Sequence, residues 1–446
     1  MEFTVSSSDT TVLASDELSV GASGRITKWV SEPNIRGTWD IIWTSLVTIF
    51  ICTHTILCLN VPSPDDTWVE IFRRRFSWML LAILAPEIVL TYAAGQWSRA
   101  RQSVESFKTS GHTAWTMRLA FFADMGGFVL NSPDFRQFPL NAKQLHWLVI
   151  NGHIAYPSVK SDELWDKSKQ DRLFRIVTCF QISYLILQCI GRSAQKLAIT
   201  ALELNALGIV ICSLMTSFAW LHKPADVRTP IHIHTSTPIT SIIRDKEWHT
   251  TPLDFIDENG PGFSLNVLPF VNMPSIPPTR PIQRIPNDRF PMNPHGYQEH
   301  LLCLATLIFA GIHLIGWNFS FPTHTEKVLW RVSSLLLFGV TALFWILETA
   351  ASWIRLGRWK WLYYWLFKPK KLGHWEKDME ARLARAEEHR DQMEFPIAWE
   401  FWAVSAVALL YSLSRCYLLA ESLLEFREID AKVYVNVQWS AFVPHI

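Results

Sequence analysis

Four acidic residues sit inside or beside long apolar runs. They are Glu87 in MLLAILAPEIVL, Asp124 in FFADMGGF, Glu203 in TALELNALG and Glu348 in FWILETAASW. Ionising a carboxyl group in hydrocarbon is expensive, so such a residue usually faces a bundle interior and often donates protons or moves ions. As catalytic groups, these four are candidate proton donors to a substrate that dissolves in the bilayer. A cation formed by that proton needs stabilising, and aromatic rings can do so through their negative faces. Trp43, Trp78, Trp317, Trp345 and Trp399 lie in apolar stretches and are candidate substrate-binding rings. His313, inside the fifth run, is a titratable neighbour of the same kind, and His54 lies in the first.

Each of these residues also has a structural reading. Glu87 could bond a polar group on another helix, and Asp124 could cap a helix end or pair with Arg118. Glu203 and Glu348 could hold spans together, since polar side chains do so in bilayers. An intramembrane histidine is commonly a packed, hydrogen-bonded residue, and an interfacial belt accounts for most tryptophans. Asn205, two residues beyond Glu203, faces away from it on a helix. Arg415 in the last run needs a partner on another span, with Glu203 and Glu348 as candidates.

Other chemistries lack their signatures. There is no GxGxxG or Walker loop, no GxSxG, no HExxH and no aspartate-rich magnesium motif. The cysteines at 52, 58, 179, 189, 212, 303 and 416 lack zinc spacing and read as small hydrophobes. The expectation is therefore no metal, no cofactor, and cation chemistry begun by a proton. A net charge of +1 with no basic patch argues against nucleic acid as a partner.

The elements that must position these residues are helices. A membrane-crossing helix needs about 20 apolar residues. Seven runs reach that length: 39–61, 76–94, 173–190, 197–220, 301–321, 328–354 and 396–424. The expected fold is an all-α polytopic membrane bundle. Residues 1–38 read as a polar, disordered tail, and 39–94 as the first two spans. Pro86 should kink the second span and free a carbonyl beside Glu87. Residues 95–172 form a polar insert whose segment 117–130 is too short to span and reads as interfacial or re-entrant. There Gly126 and Gly127 allow a sharp turn. Residues 173–220 make a tight helical hairpin, and 221–300 a Pro-rich loop with little core of its own. Residues 301–354 carry two spans, 355–395 a charged amphipathic helix, and 396–446 the last span and tail.

The content of 22 Trp and 18% charged residues fits a bilayer protein. Lys and Arg asymmetry puts the N-terminus and both inserts in the cytosol, with the endoplasmic reticulum as the expected membrane. Arg73, Arg74 and Arg75 run against that count.

The phrases RGTWDIIWTSLVTIF, CLNVP, MLLAILAPE, FFADMGGF, DKSKQD, TALELNALG, WLHKPADV and YLLAESLLEF resemble those of a large fungal group of multi-pass membrane proteins. Some of that group belong to secondary-metabolite clusters. The chain looks similar to the integral-membrane terpene cyclases of meroterpenoid pathways, of the ascofuranone type. The resemblance implies cyclisation of a prenylated aromatic bearing an epoxide, and it carries no catalytic residue over. Its partners would be that lipophilic substrate, the bilayer and other pathway enzymes. The competing reading is a transporter or scaffold. Convergence of acids and rings on one pocket favours catalysis, and acids dispersed over separate helix contacts favour a scaffold.

Overall fold

The structure is a computed structural model and describes residues 25–27, 29–31, 35–159, 170–243, 248, 250–256, 279–287, 297–355 and 398–439. Residues 1–24, most of the Pro-rich stretch and the charged segment 356–397 lie outside the described residues, as does the side chain of Trp399. The first half of the chain forms β1 (Arg25–Ile26), α1 (Thr38–Thr55), α2 (Trp68–Leu84), α3 (Pro86–Thr109), α4 (Met117–Asp124), β2 (Phe128–Asn131), β3 (Phe138–Leu140) and α5 (Ala142–Ile150). The second half forms α6 (Gln170–Ala194), α7 (Ala201–Ala219), β4 (Ile231–His234), α8 (Ile239–Ile243), α9 (Tyr297–Ile312), α10 (His324–Arg355), α11 (Ala398–Leu424) and β5 (Ile429–Asp430).

The chain is mostly helical. Among the described residues, four stretches are long and apolar enough to cross a membrane: Ala201–Ala219, His300–Asn318, His324–Ala350 and Trp402–Arg427. They correspond to α7, α9 with the 3-10 turn after it, most of α10, and α11 with its following turn. A fifth candidate is α2 with α3, which pass that test only together and meet at a bend of 112°. α1 and α6 are not among them. In α1 the threonines lower the hydropathy, yet Thr44, Thr48, Thr53 and Thr55 each return their hydroxyl to the carbonyl four residues back. This back-bonding satisfies the hydroxyls inside the helix itself.

α7 is the hub. It packs against α1, α3, α6, α9 and α11, while α10 packs along α11. Its N-terminus is fixed by a capping box in which Thr200 accepts from the Glu203 amide and Glu203 accepts from the Thr200 amide. The chain's two ends clasp that helix start. β1 pairs antiparallel with β5, Arg25 opposite Asp430. The Arg36 amide donates to the Tyr434 carbonyl at 3.0 Å. Buried Arg192 at the end of α6 donates to the carbonyls of Ala198, Lys432, Val433 and Val435. Thus residues 25–26 and 35–38 of the stretch expected as a tail are built into the fold.

A second, mixed unit carries a sheet that the all-α expectation did not contain. β2 lies between β3, antiparallel (Phe128 opposite Leu140), and β4, parallel (Phe128 opposite Ile231). Segment 117–130 folds as α4, a glycine turn and β2. Gly126 takes φ +84, a conformation L side chains rarely adopt. Phe107, Trp115, Phe121, Phe122, Phe128 and Leu130 form this unit's core with Ile239, Leu253 and Ile256 from the Pro-rich insert. That insert therefore contributes to a core rather than hanging as a loop.

Candidate functional site at a broken helix

The break between α2 and α3 follows from Pro86. The residue before a proline is pushed from the helical region, and Ala85 sits at φ −143, ψ 71. Pro86 then starts α3, where its missing N–H costs nothing. Breaking the helix inside a bundle leaves the last carbonyls of α2 without amide partners. Arg415 of α11 supplies them. Its Nε donates to the Leu84 carbonyl at 3.1 Å and its Nη2 to the Ile83 carbonyl at 3.3 Å. The Tyr411 hydroxyl, one turn earlier on α11, reaches the Leu84 carbonyl at 3.4 Å. A cation at a helix C-terminus is also favoured by the aligned peptide dipoles.

The rest of the guanidinium is bonded too. Nη1 donates to Asn205 Oδ1 of α7 at 2.8 Å and to His313 Nε2 at 2.7 Å. His313 Nε2 is thereby an acceptor, so Nδ1 carries the hydrogen and donates to the Phe309 carbonyl at 3.2 Å. Asn205 Nδ2 donates to Ala201 and Leu418 carbonyls. Arg415 also lies over the Phe309 ring, 5.1 Å from its centroid. Arg415, His313 and Asn205 are all fully buried.

Glu87 borders this centre from the first turn of α3. It is 7% exposed, and its Oε2 is buried with no hydrogen-bond partner. The Tyr411 hydroxyl faces its carboxyl, and Arg415 is near enough for the charges to interact. Among the described residues, however, Arg415 makes no ion pair within 4.0 Å. One turn along the same face of α3, Leu90 packs with Leu302 and Ala305, and Trp345 and Ala94 pack against that cluster. The Trp345 indole N–H donates to Thr306 Oγ1 at 2.7 Å.

The other acids are placed elsewhere. Glu203 is fully buried, but one oxygen takes Arg36 Nη2 at 2.6 Å and the other closes the Thr200 cap. Asp124 accepts from the Ala142 amide at 3.0 Å, with Arg99 Nε at 3.7 Å. It belongs to the mixed unit. Glu348 is half-buried on α10, three residues from Trp345. Arg415 thus meets neither Glu203 nor Glu348 but carbonyls, an amide and an imidazole. As the helical spacing requires, Glu203 and Asn205 serve different partners.

Of the candidate rings, Trp345 packs against the Leu90 cluster and Trp78 against Tyr92, with Leu90 and Tyr92 both on α3. Trp78 packs edge-on to Tyr92, centroids 5.3 Å apart, within the mixed unit's core. Trp43 is 56% exposed and stacks on Trp39. Trp317 is 36% exposed under the Arg331 guanidinium. His313 is spent on Arg415 and Phe309, which leaves no nitrogen to act as a base. The sequence did not single out Tyr411 or Phe309, and it placed Asn205 only as facing away from Glu203. The four-residue spacing of Tyr411 and Arg415 on one face of α11 was the available signal.

No curated protein and no solved structure matches this chain. A family of unknown function, DUF8562, matches residues 11–244 and 296–446, most of the sequence, and the chain belongs to that family.

Proposed function

We propose that this chain is a membrane-embedded cyclase that protonates a lipophilic, epoxide-bearing prenylated substrate, with Glu87 as the proton donor. The observation that carries the reading is the unpartnered Oε2 of Glu87, buried at a helix break within a bundle of apolar helices. Glu203, by contrast, is tied to Arg36 and to its own cap. In the proposed reaction the Glu87 O–H proton passes to the epoxide oxygen and the C–O bond breaks. An alkene or hydroxyl of the same molecule traps the cation at carbon. A proton lost from the product returns to the Glu87 carboxylate, so the overall change is an isomerisation. Trp345, packed against the Leu90 cluster, and Phe309, beneath Arg415, are the rings that would face the cation, and Tyr411 orients the carboxyl. The endoplasmic reticulum, with the N-terminus in the cytosol and α1 and α6 as additional spans, belongs to the same proposal.

A scaffold for other pathway enzymes is the second reading. The dispersal of Glu203, Asp124 and Glu348 over separate contacts favours it. The two are separated by assaying membranes carrying the chain with a prenylated phenol bearing a terminal epoxide. Wild type should cyclise it. Glu87→Gln should lower the rate at least about 100-fold, in line with the loss of a general acid. Inserted protein should stay at the wild-type level. Wild-type rates in that variant, or no product from folded wild type, would overturn the catalytic reading in favour of the scaffold.

A further inference from the structure

Glu421 is a second buried acid, outside the centre around Glu87. It lies in the last turn of α11 and is 1% exposed, and its Oε1 has no hydrogen-bond partner. Its Oε2 is 3.2 Å from the Tyr417 hydroxyl, which is also 3.2 Å from the Glu326 carbonyl of α10. A phenol has one hydrogen for these two oxygens. With a proton on Oε2, the acid donates to the phenol oxygen and the phenol donates to the Glu326 carbonyl. Each hydrogen then has an acceptor. The orphaned Oε1 becomes the carbonyl oxygen of a neutral acid, which costs far less to bury than part of a carboxylate.

The cations of this corner are engaged elsewhere. Among the described residues, Arg36 pairs with Glu203 at 2.6 Å, Arg427 with Glu326 and Arg25 with Glu428 at 3.3 Å. Buried Arg192 is spent on four carbonyls. Glu425, four residues beyond Glu421 and equally buried, sits at the start of α7. It accepts from the Leu202 amide at 3.2 Å, with the Ala201 amide beside it. Those first-turn amides have no partners inside the helix, and the peptide dipoles favour an anion there. Glu421 has no such support. The groups around it are Tyr417 and Glu425 along α11, Glu326 from α10 and Arg427 from the turn, with Glu203 of α7 and Tyr434 beside Glu425.

We propose that Glu421 is a proton-binding site, and that its proton latches the end of α11 to α7 and α10 where the chain's two ends clasp. Losing the proton leaves a buried carboxylate with no countercharge, four residues from one acid and across from another. The end of α11 then moves away from α7 and α10, and the clasp loosens. The proton passes to water and returns from it, so no other reactant is needed. The site is separate from Glu87 and does not depend on the reaction proposed there. A proton held in the fold and released by the unfolded chain makes this group's contribution to stability greatest in acid, and that contribution falls as pH rises.

The test compares the detergent-solubilised full chain with Glu421→Gln, whose amide N–H can replace the acid's O–H toward Tyr417. At neutral pH the wild-type infrared spectrum should contain a deuterium-sensitive carbonyl band of an un-ionised carboxyl that Glu421→Gln lacks. That band should remain in Glu87→Gln, which keeps it apart from the acid of the proposed reaction. Melting temperatures of wild type and Glu421→Gln should coincide in acidic buffer, and wild type should fall progressively below the variant as pH rises. Groups that titrate in both chains cancel from this comparison. The proposal fails if Glu421→Gln loses no such band. It also fails if that variant does not fold or melts below wild type at every pH, as an ionised Glu421 bonded to a cation would require. Parallel melting curves over the whole range would leave the proton without a release and overturn the latch.

Discussion

Glu87 and Glu203 are the same residue type in similar apolar surroundings, and the fold gives them opposite fates. The difference lies in what stands across from each. Glu203 meets Arg36, 167 residues away in sequence, and that distance hides the pairing from any local reading. The capping half of its role was legible, because Thr200 three residues before Glu203 is the pattern of a capping box. Glu87 was legible as a buried acid, and Pro86 as the source of free carbonyls. That Arg415 would fill those carbonyls was not, since nothing local ties α11 to α2. The contrast can be measured. Glu203→Gln leaves the buried Arg36 guanidinium without its countercharge, which should cost about 3 kcal/mol or more. The expected readout is a lower melting temperature and less inserted protein, with turnover per folded molecule near wild type. A Glu203→Gln chain as stable as wild type would show that Arg36 does not need the carboxylate.

At the scale of elements, helices were readable and the sheet was not. Apolar length and terminal caps are local signals, and α7, α9, α10 and α11 follow from them. The mixed sheet depends on β2 meeting β4, with Val129 opposite His232 across a long stretch of chain. The alternating IHIH of β4 lies within a Pro- and Thr-rich stretch that gave no reason to expect a strand. The glycine turn before β2 was readable, and the structure explains why its second residue cannot carry a side chain. A Cβ on Gly127 would fall 2.5 Å from both the Phe122 carbonyl and its ring. Phe122 is fully buried in the core and cannot yield. Gly127→Ala should therefore cost about 3 kcal/mol through overpacking. Gly111→Ala is the control. Unlike Gly127 it has positive φ, +88, and nothing lies within 4 Å of its added Cβ. Its cost should be only about 1 kcal/mol of backbone strain. Equal melting temperatures for the two variants would show that the contact with Phe122 does not matter.

At the scale of the whole molecule, several helices turn an apolar stripe outward while the interior of the bundle holds buried polar groups beside its apolar core. Trp39, Trp43, Leu46 and Phe50 form an exposed stripe along α1 at spacings of three and four. Trp68, Phe72, Phe76 and Leu80 do the same on α2, and Leu409 and Leu413 on α11. Inside are Arg192, Arg415, Glu203, Asn205, Ser213 and Thr216. An apolar exterior on this scale is not sustained in water, where contiguous exposed patches stay small. In hydrocarbon it costs nothing, and the inward polar groups then hold helices together where apolar packing gives no net drive. The stripes on α1 and α2 matter most, because neither helix is apolar enough on average to mark itself as a span. Averaged hydropathy counts the inward Thr of α1 and the Arg73, Arg74 and Arg75 run of α2 against them, while the apolar stripes are what lipid meets. The expected outcome is that the full chain stays with the membrane pellet through an alkaline carbonate wash and leaves it only with detergent. Replacing Trp43 and Phe50 by Glu should cut the amount of inserted chain severely, whereas changing solvent-facing Glu105 or Lys108 to Gln should not. If the wild-type chain appears in the carbonate supernatant, the outward stripes cover a protein partner and not lipid.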